Sequence, residues 1–134
     1  MELNEICKSM LDNADMSMDL RNFPEVKLSI TVQGKVNDKF WQVLLTCGQV
    51  VYIDIEADDD TSPNELIMVL ETEIIETTKE KVTPAVQHRM DQITDTDKAW
   101  LIKIYGGISL SLVTTQFDWQ LLEISESEYE AIYA

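Results

Sequence analysis

The chain has few of the residues that punctuate, staple or activate a polypeptide. Its 134 residues include four glycines, three prolines, two cysteines and one histidine. So little Gly and Pro excludes a flexible linker or a low-complexity tail. The cysteines, Cys7 and Cys47, are far apart and form no C-x-x-C pair. One disulfide would suit an exported chain, but the expectation is two buried free thiols in a reducing compartment. A single histidine, His88, leaves little for general-base chemistry. There is no G-x-x-x-x-G-K-[ST] phosphate loop and no G-x-G-x-x-G.

Basic residues are also scarce. Lys plus Arg number 10 against 25 Asp plus Glu, a formal charge of -15. That argues against nucleic acid, whose phosphates need a positive field, and against an anionic membrane surface. No apolar run approaches the roughly 18–20 residues of a membrane span. Met1–Glu5 has no basic segment leading into an apolar one, so no signal peptide is expected, and there is no Asn-x-Ser/Thr acceptor. These absences together predict a cytoplasmic protein with no cofactor.

What is present suits one α+β domain spanning residues 1–134, since 45% of the residues are hydrophobic. Leu3, Ile6, Cys7, Met10, Leu11 and Ala14 recur at helical spacing. Asp12 to Pro24 reads as a connection. Three alternating runs follow, at Val26–Val32, Phe40–Thr46 and Val51–Glu56, with short links that favour antiparallel neighbours. Ser62, Pro63 and Glu65 form a capping-box signal for a helix over Pro63–Lys81. A strand over Ile67–Ile75 is the competing reading, because Val and Ile are frequent there. Thr83-Pro84 opens a shorter helix to about residue 93. Alternating runs at Trp100–Ile104, Ile108–Val113 and Trp119–Ile124 come next, with Gly106-Gly107 as a tight turn. Ser125 and Glu128 then cap a last helix. The expectation is an antiparallel sheet of about six strands in two three-strand runs, with helices at the N-terminus, middle and C-terminus packed on it.

The negative charge is clustered. Residues 54–76 hold nine carboxylates and no Lys or Arg. Such clustering builds a directional field. Asp54, Glu56 and Asp58 share one side of a strand, and Asp59 and Asp60 follow in a loop. Glu65, Glu73 and Glu76 share one side of the expected helix. If that helix folds back beside the strand, the eight form one patch; if not, they are a solvated rim that keeps the protein soluble. Asp54, Glu56, Asp58, Ser62 and Glu65 also fall at calcium-loop positions, but Asp59 stands where the sharp turn wants Gly, so no metal site is expected.

Catalysis has no clear carrier. A Cys–His nucleophile would need Cys47 beside His88, since Cys7 lies on a core stripe. Trp41 and Trp100 fall on apolar sides of their strands. Trp119 lies beside Asp118 near a bend, where an aromatic among acids suits an interface anchor. Tyr129 and Tyr133 either extend that surface or form the inner face of the last helix. The expected function is a non-enzymatic binding protein that engages a basic protein partner, in the manner of an immunity protein or an inhibitor, through Asp54, Glu56, Asp58, Asp59, Asp60, Glu65, Glu73, Glu76 and Trp119. The alternatives are a small acidic secretion-type chaperone or a dimeric assembly protein, with a homodimer possible in either, and a metal-assisted hydrolase using the 54–65 carboxylates.

Overall fold

Period-two alternation runs through most of the chain, and in a computed structural model it becomes eight strands with three helices. The structure describes residues 2–57 and 66–134. Helix α1 (Leu3–Ser9) leads into β1 (Ala14–Asp19), β2 (Val26–Thr31), β3 (Phe40–Cys47), β4 (Val50–Ala57) and β5 (Ile67–Thr78). A single 3-10 turn and α2 (Pro84–Ile93) follow. Then come β6 (Lys98–Gly106), β7 (Ile108–Thr114), β8 (Phe117–Ile124) and α3 (Glu126–Ile132). The class is α+β with one antiparallel sheet, and the strand number corrects the expected six to eight.

The sheet order is β4-β7-β6-β5-β1-β2-β3-β8. Read outward from the central β5–β1 pair, the two halves match: three consecutive strands (β1-β2-β3 or β5-β6-β7), then the fourth strand of the other half. The expected three-strand runs therefore exist, but not as expected. The third run of each half, β4 or β8, leaves its hairpin neighbour and joins the other half. The links 48–49 and 115–116 pair with each other instead. Gly48 N donates to Gln116 O at 2.7 Å, and Thr115 N donates to Gln49 O at 3.0 Å. One long ribbon, β3-β4 against β7-β8, thus bends at this corner and ties the two ends of the sheet together.

Two strands depart from the sequence reading. The stretch read as a connection holds β1, where Ala14 and Met16 are fully buried. Its Asp and Ser content disfavours a strand, but pairing with both β2 and β5 overrides that preference. Helix α1 ends at Ser9, short of the expected stripe through Ala14, and Asn13, at φ 60°, turns the chain into β1.

The expected helix over Pro63–Lys81 is β5 from Ile67 on. Ile67 and Val69 face the core, and so do Thr72 and Ile74. A bulge between Val69 and Glu71 shifts the alternation by one residue. That phase slip places apolar residues three and four apart, which imitates a helix. The signals that favoured a helix, Ser62, Pro63 and Glu65, lie outside the described residues.

The main core lies on one face of the sheet, called inner here. It takes in Ile6 and Leu11, Met16, Leu28, Leu45, Ile102 and Leu112. On the other, outer face α2 covers a smaller cluster of Val51, Val86, Met90, Ala99 and Val113. Helix α3 starts at the expected capping box: Glu128 N donates to Ser125 Oγ, and Ser125 N donates to Glu128 Oε1. It also lies on the outer face, through Tyr129 stacked on Phe40 and Tyr133 bonded to Asp15.

Candidate partner-binding surface

Directly paired residues in a sheet point to the same face, so the register shows which acids come together. Asp54 pairs with Ser111, Ser111 with Lys103, and Lys103 with Glu73. These four form one row across β4-β7-β6-β5. The next row is Glu56, Ser109, Tyr105 and Glu71. On the other side lies Tyr52, Val113, Leu101 and Ile75. At ~4.8 Å per strand, Asp54 and Glu73 stand roughly 14 Å apart.

Beside α2, which buries Val113 and packs against Leu101 in the last of these rows, this outer surface is exposed at Asp54, Glu56, Glu71 and Glu73. Tyr52, Ile75 and Tyr105 are exposed at 45%, 40% and 39%, well above the exposure of a packed strand residue. The face therefore combines aromatic and aliphatic side chains with four carboxylates, against one ammonium at Lys103. No ion pair joins Glu73 to Lys103 among the described residues.

The expected eight-carboxylate patch is only partly assembled. Asp54, Glu56 and Glu73 share the outer face. Glu76 does not: three residues from Glu73 on a strand, it points to the opposite side, and Lys98 Nζ holds it at 2.8 Å. The helical reading had put both on one face. Asp58, Asp59, Asp60 and Glu65 lie outside the described residues, and so does most of the calcium-loop spacing. Among the described residues no three metal-ligating side chains gather. Glu71 was missed, because a helix would have turned it away from Glu73, whereas beyond the bulge the strand aims both outward.

Trp119 joins Glu76 elsewhere, at the inner mouth of the sheet. There an open cavity of about 490 Å³ is lined by Trp100, Phe117, Trp119, Ile74 and the first residues of α1, with Glu2, Glu76 and Asp118 among its lining. Trp100 and Phe117 lie 5.9 Å apart, tilted at 37°. Phe117 extends β8 two residues upstream of the expected strand start.

Tyr129 and Tyr133 turn toward the sheet. Tyr133 Oη donates to Asp15 Oδ2 at 2.6 Å, and Gln33 Nε2 donates to the same oxygen at 2.9 Å. Burial and the adjacent Asp15 carboxylate push the Tyr133 hydroxyl's pKa well up, so it stays protonated and keeps donating. These tyrosines hold α3 against the sheet.

The Cys47–His88 pair does not form. Cys47 is fully buried in the main core, and burial pushes its thiol up to about 12. Cys7 is raised to about 11, also by burial. His88 is exposed on α2, on the outer face, where it contacts Gln92. A protonated, buried thiol is a poor nucleophile. No helix is long and apolar enough to cross a membrane among the described residues. Comparison with protein-family models, with curated proteins and with solved structures finds no match.

Proposed function

We propose that this chain is a non-enzymatic binding protein that engages a basic protein partner through the outer face of β4-β7-β6-β5. One observation carries the reading: Asp54, Glu56, Glu71 and Glu73 flank exposed Tyr52, Ile75 and Tyr105 on a single open surface. Apolar and aromatic groups with charge around them make up the usual anatomy of an interface. A lone solubilising rim has no need of exposed aromatics between its acids. The field of the wider chain, at -15, steers a cationic partner toward the surface before contact.

The test is affinity capture from the source cells, with the bound fraction eluted in a salt gradient. The expected partner is basic and releases as salt rises toward physiological strength, where screening shortens to about 8 Å. It is lost when Asp54, Glu56, Glu71 and Glu73 are replaced by Asn and Gln. A partner that ignores both salt and the substitutions contradicts the proposal.

A second reading has its own observation. Leu66, Met68 and Leu70 are exposed at 39–49% at the near end of β5. That apolar stripe favours a chaperone-like partner with a greasy segment, and capture that persists at high salt and is broken by Met68→Ser would select it.

A further inference from the structure

We infer that the free edge of β4 takes up a strand of the partner, an extended segment in which basic and apolar residues alternate. The inference rests on the outer-face reading and adds to it which part of the partner binds and how.

Strand β4 is the last strand at one end of the sheet, and β7 is its one strand partner among the described residues. Every second residue of such a strand turns its N–H and C=O away from the sheet, a ready template for another strand. Among the described residues, the one backbone hydrogen bond from β4 to anything other than β7 is at the corner, where Val50 N donates to Pro24 O at 2.9 Å. A second copy of the chain is a poor occupant. Pairing β4 with itself about Asp54 or Ile55 sets acid directly against acid, and each copy brings a charge of -15.

The side chains of β4 choose the sequence of the added strand. On the inner face Ile53 continues the row of Leu112 and Ile102, and Ile55 continues the row of Leu110 and Ile104. Those four neighbours are fully buried, whereas Ile53 and Ile55 are half-buried at the end of their rows. An apolar side chain on the next strand completes each row and removes that surface from water. On the outer face the alternating positions are Asp54 and Glu56, both exposed. A residue directly opposite either acid lies about 5 Å away on the same face, where Lys or Arg is favoured and a carboxylate is repelled. Faces alternate along a strand, so the segment that fits alternates as well. Main-chain hydrogen bonds supply its affinity, and the alternation supplies its selection.

The intact protein is titrated at low salt with an acetylated peptide amide of alternating lysine and valine, seven residues long. A second peptide of the same composition carries all its lysines first and all its valines last. Amide hydrogen exchange read by NMR follows β4 residue by residue. The expected result is that the alternating peptide slows alternate amides between Tyr52 and Ala57 by tenfold or more, and that the block peptide does not. In Asp54→Asn/Glu56→Gln the affinity of the alternating peptide falls about fivefold, the scale of two cross-strand ion pairs. In Glu71→Gln/Glu73→Gln, three strands away, it stays within about twofold, allowing for a weaker long-range field. These positions are solvent-facing, so both variants keep their fold, which their unfolding midpoints verify. No slowing on β4, equal slowing by the block peptide, or unchanged affinity in Asp54→Asn/Glu56→Gln each overturns the inference. Loss of the captured partner on neutralising all four acids, with no β4 amide slowed, overturns the edge and leaves the outer face standing. Slowed β4 amides with a captured partner that ignores the four substitutions support the edge and remove the outer face.

Discussion

Gly106 and Gly107 are adjacent, yet replacing each by alanine should have very different consequences. A Cβ on Gly106 would lie 2.0 Å from Met68 O, 2.8 Å from Met68 C and 3.0 Å from Val69 Cα. All three are backbone atoms at the β5 bulge, so no side chain can swing away to make room. The β5–β6 pairing has to open by more than an ångström. At Gly107 the nearest atom to an added Cβ is Ile67 Cγ2 at 3.5 Å, an ordinary contact. Overpacking of this kind costs about 1–3 kcal/mol. The hydrogen bond from Gly107 N to Met68 O, 2.9 Å long, is strained by the same opening and adds about 1 kcal/mol. Gly106→Ala should therefore destabilise by about 3 kcal/mol, and Gly107→Ala by less than about 1 kcal/mol. With a urea slope of about 2 kcal/mol/M for a chain this size, the midpoint falls by about 1.5 M for Gly106→Ala and hardly moves for Gly107→Ala. Equal effects would refute the reasoning. They would mean that the two glycines serve only as a turn and that β5 does not press a bulge against β6.

Three further outcomes follow from the core and the charged surface. Thr72 Oγ1 is buried with no hydrogen-bond partner among the described residues, so Thr72→Val should raise stability by about 1 kcal/mol in urea unfolding; a loss of that size would show that the hydroxyl is satisfied. Asp19 accepts hydrogen bonds from the Arg21 side chain and backbone, which lower its pKa to about 2. Because the folded value is depressed, its contribution is present above the ordinary carboxylate range and fades as pH falls toward 2. Carboxyl NMR should find that low value in the native protein and a rise toward 3.8 in Arg21→Ala; an unchanged value removes Arg21 as the cause. Finally, Cys7 and Cys47 should resist a thiol reagent at pH 8 until urea unfolds the chain, and rapid labelling of the native protein would contradict their burial.

Much of the fold was legible where a local signal and the tertiary outcome agree. Ser125 with Glu128, and Pro84 at the start of α2, mark helices that the structure keeps. The alternation of Val26, Leu28 and Ile30 marks β2 directly. What stayed hidden depends on long-range pairing. Ala14–Asp19 is polar enough to read as a loop and becomes a central strand because β2 and β5 close on both its edges. The bulge at Val69–Glu71 breaks the strand period, and the backbone of Gly106 packs against Met68 and Val69 beside it, a contact that no local pattern announces. Strand or helix at this point decides the candidate site. On a helix Glu73 and Glu76 are neighbours, but on β5 they face opposite sides, and Glu71 replaces Glu76 beside Glu73. Trp119 was legible as an aromatic among acids. Phe117, two residues before it on β8, was legible beside it, but Trp100 was not, because the fold brings it in from β6 to lie 5.9 Å from Phe117.

The central claim is that the placement of the outer-face acids matters, beyond their number. Two variants of equal net charge decide it: one with Asp54, Glu56, Glu71 and Glu73 neutralised, the other with Asp95, Asp97, Glu126 and Glu130 neutralised. The measurement is the affinity of the captured basic partner for each at low salt. The expected loss is tenfold or more for the first, since four charges in one interface act together, and less than about threefold for the second. Equal losses would show that bulk charge alone draws the partner, and would contradict the claim that the rows across β4-β7-β6-β5 form the interface.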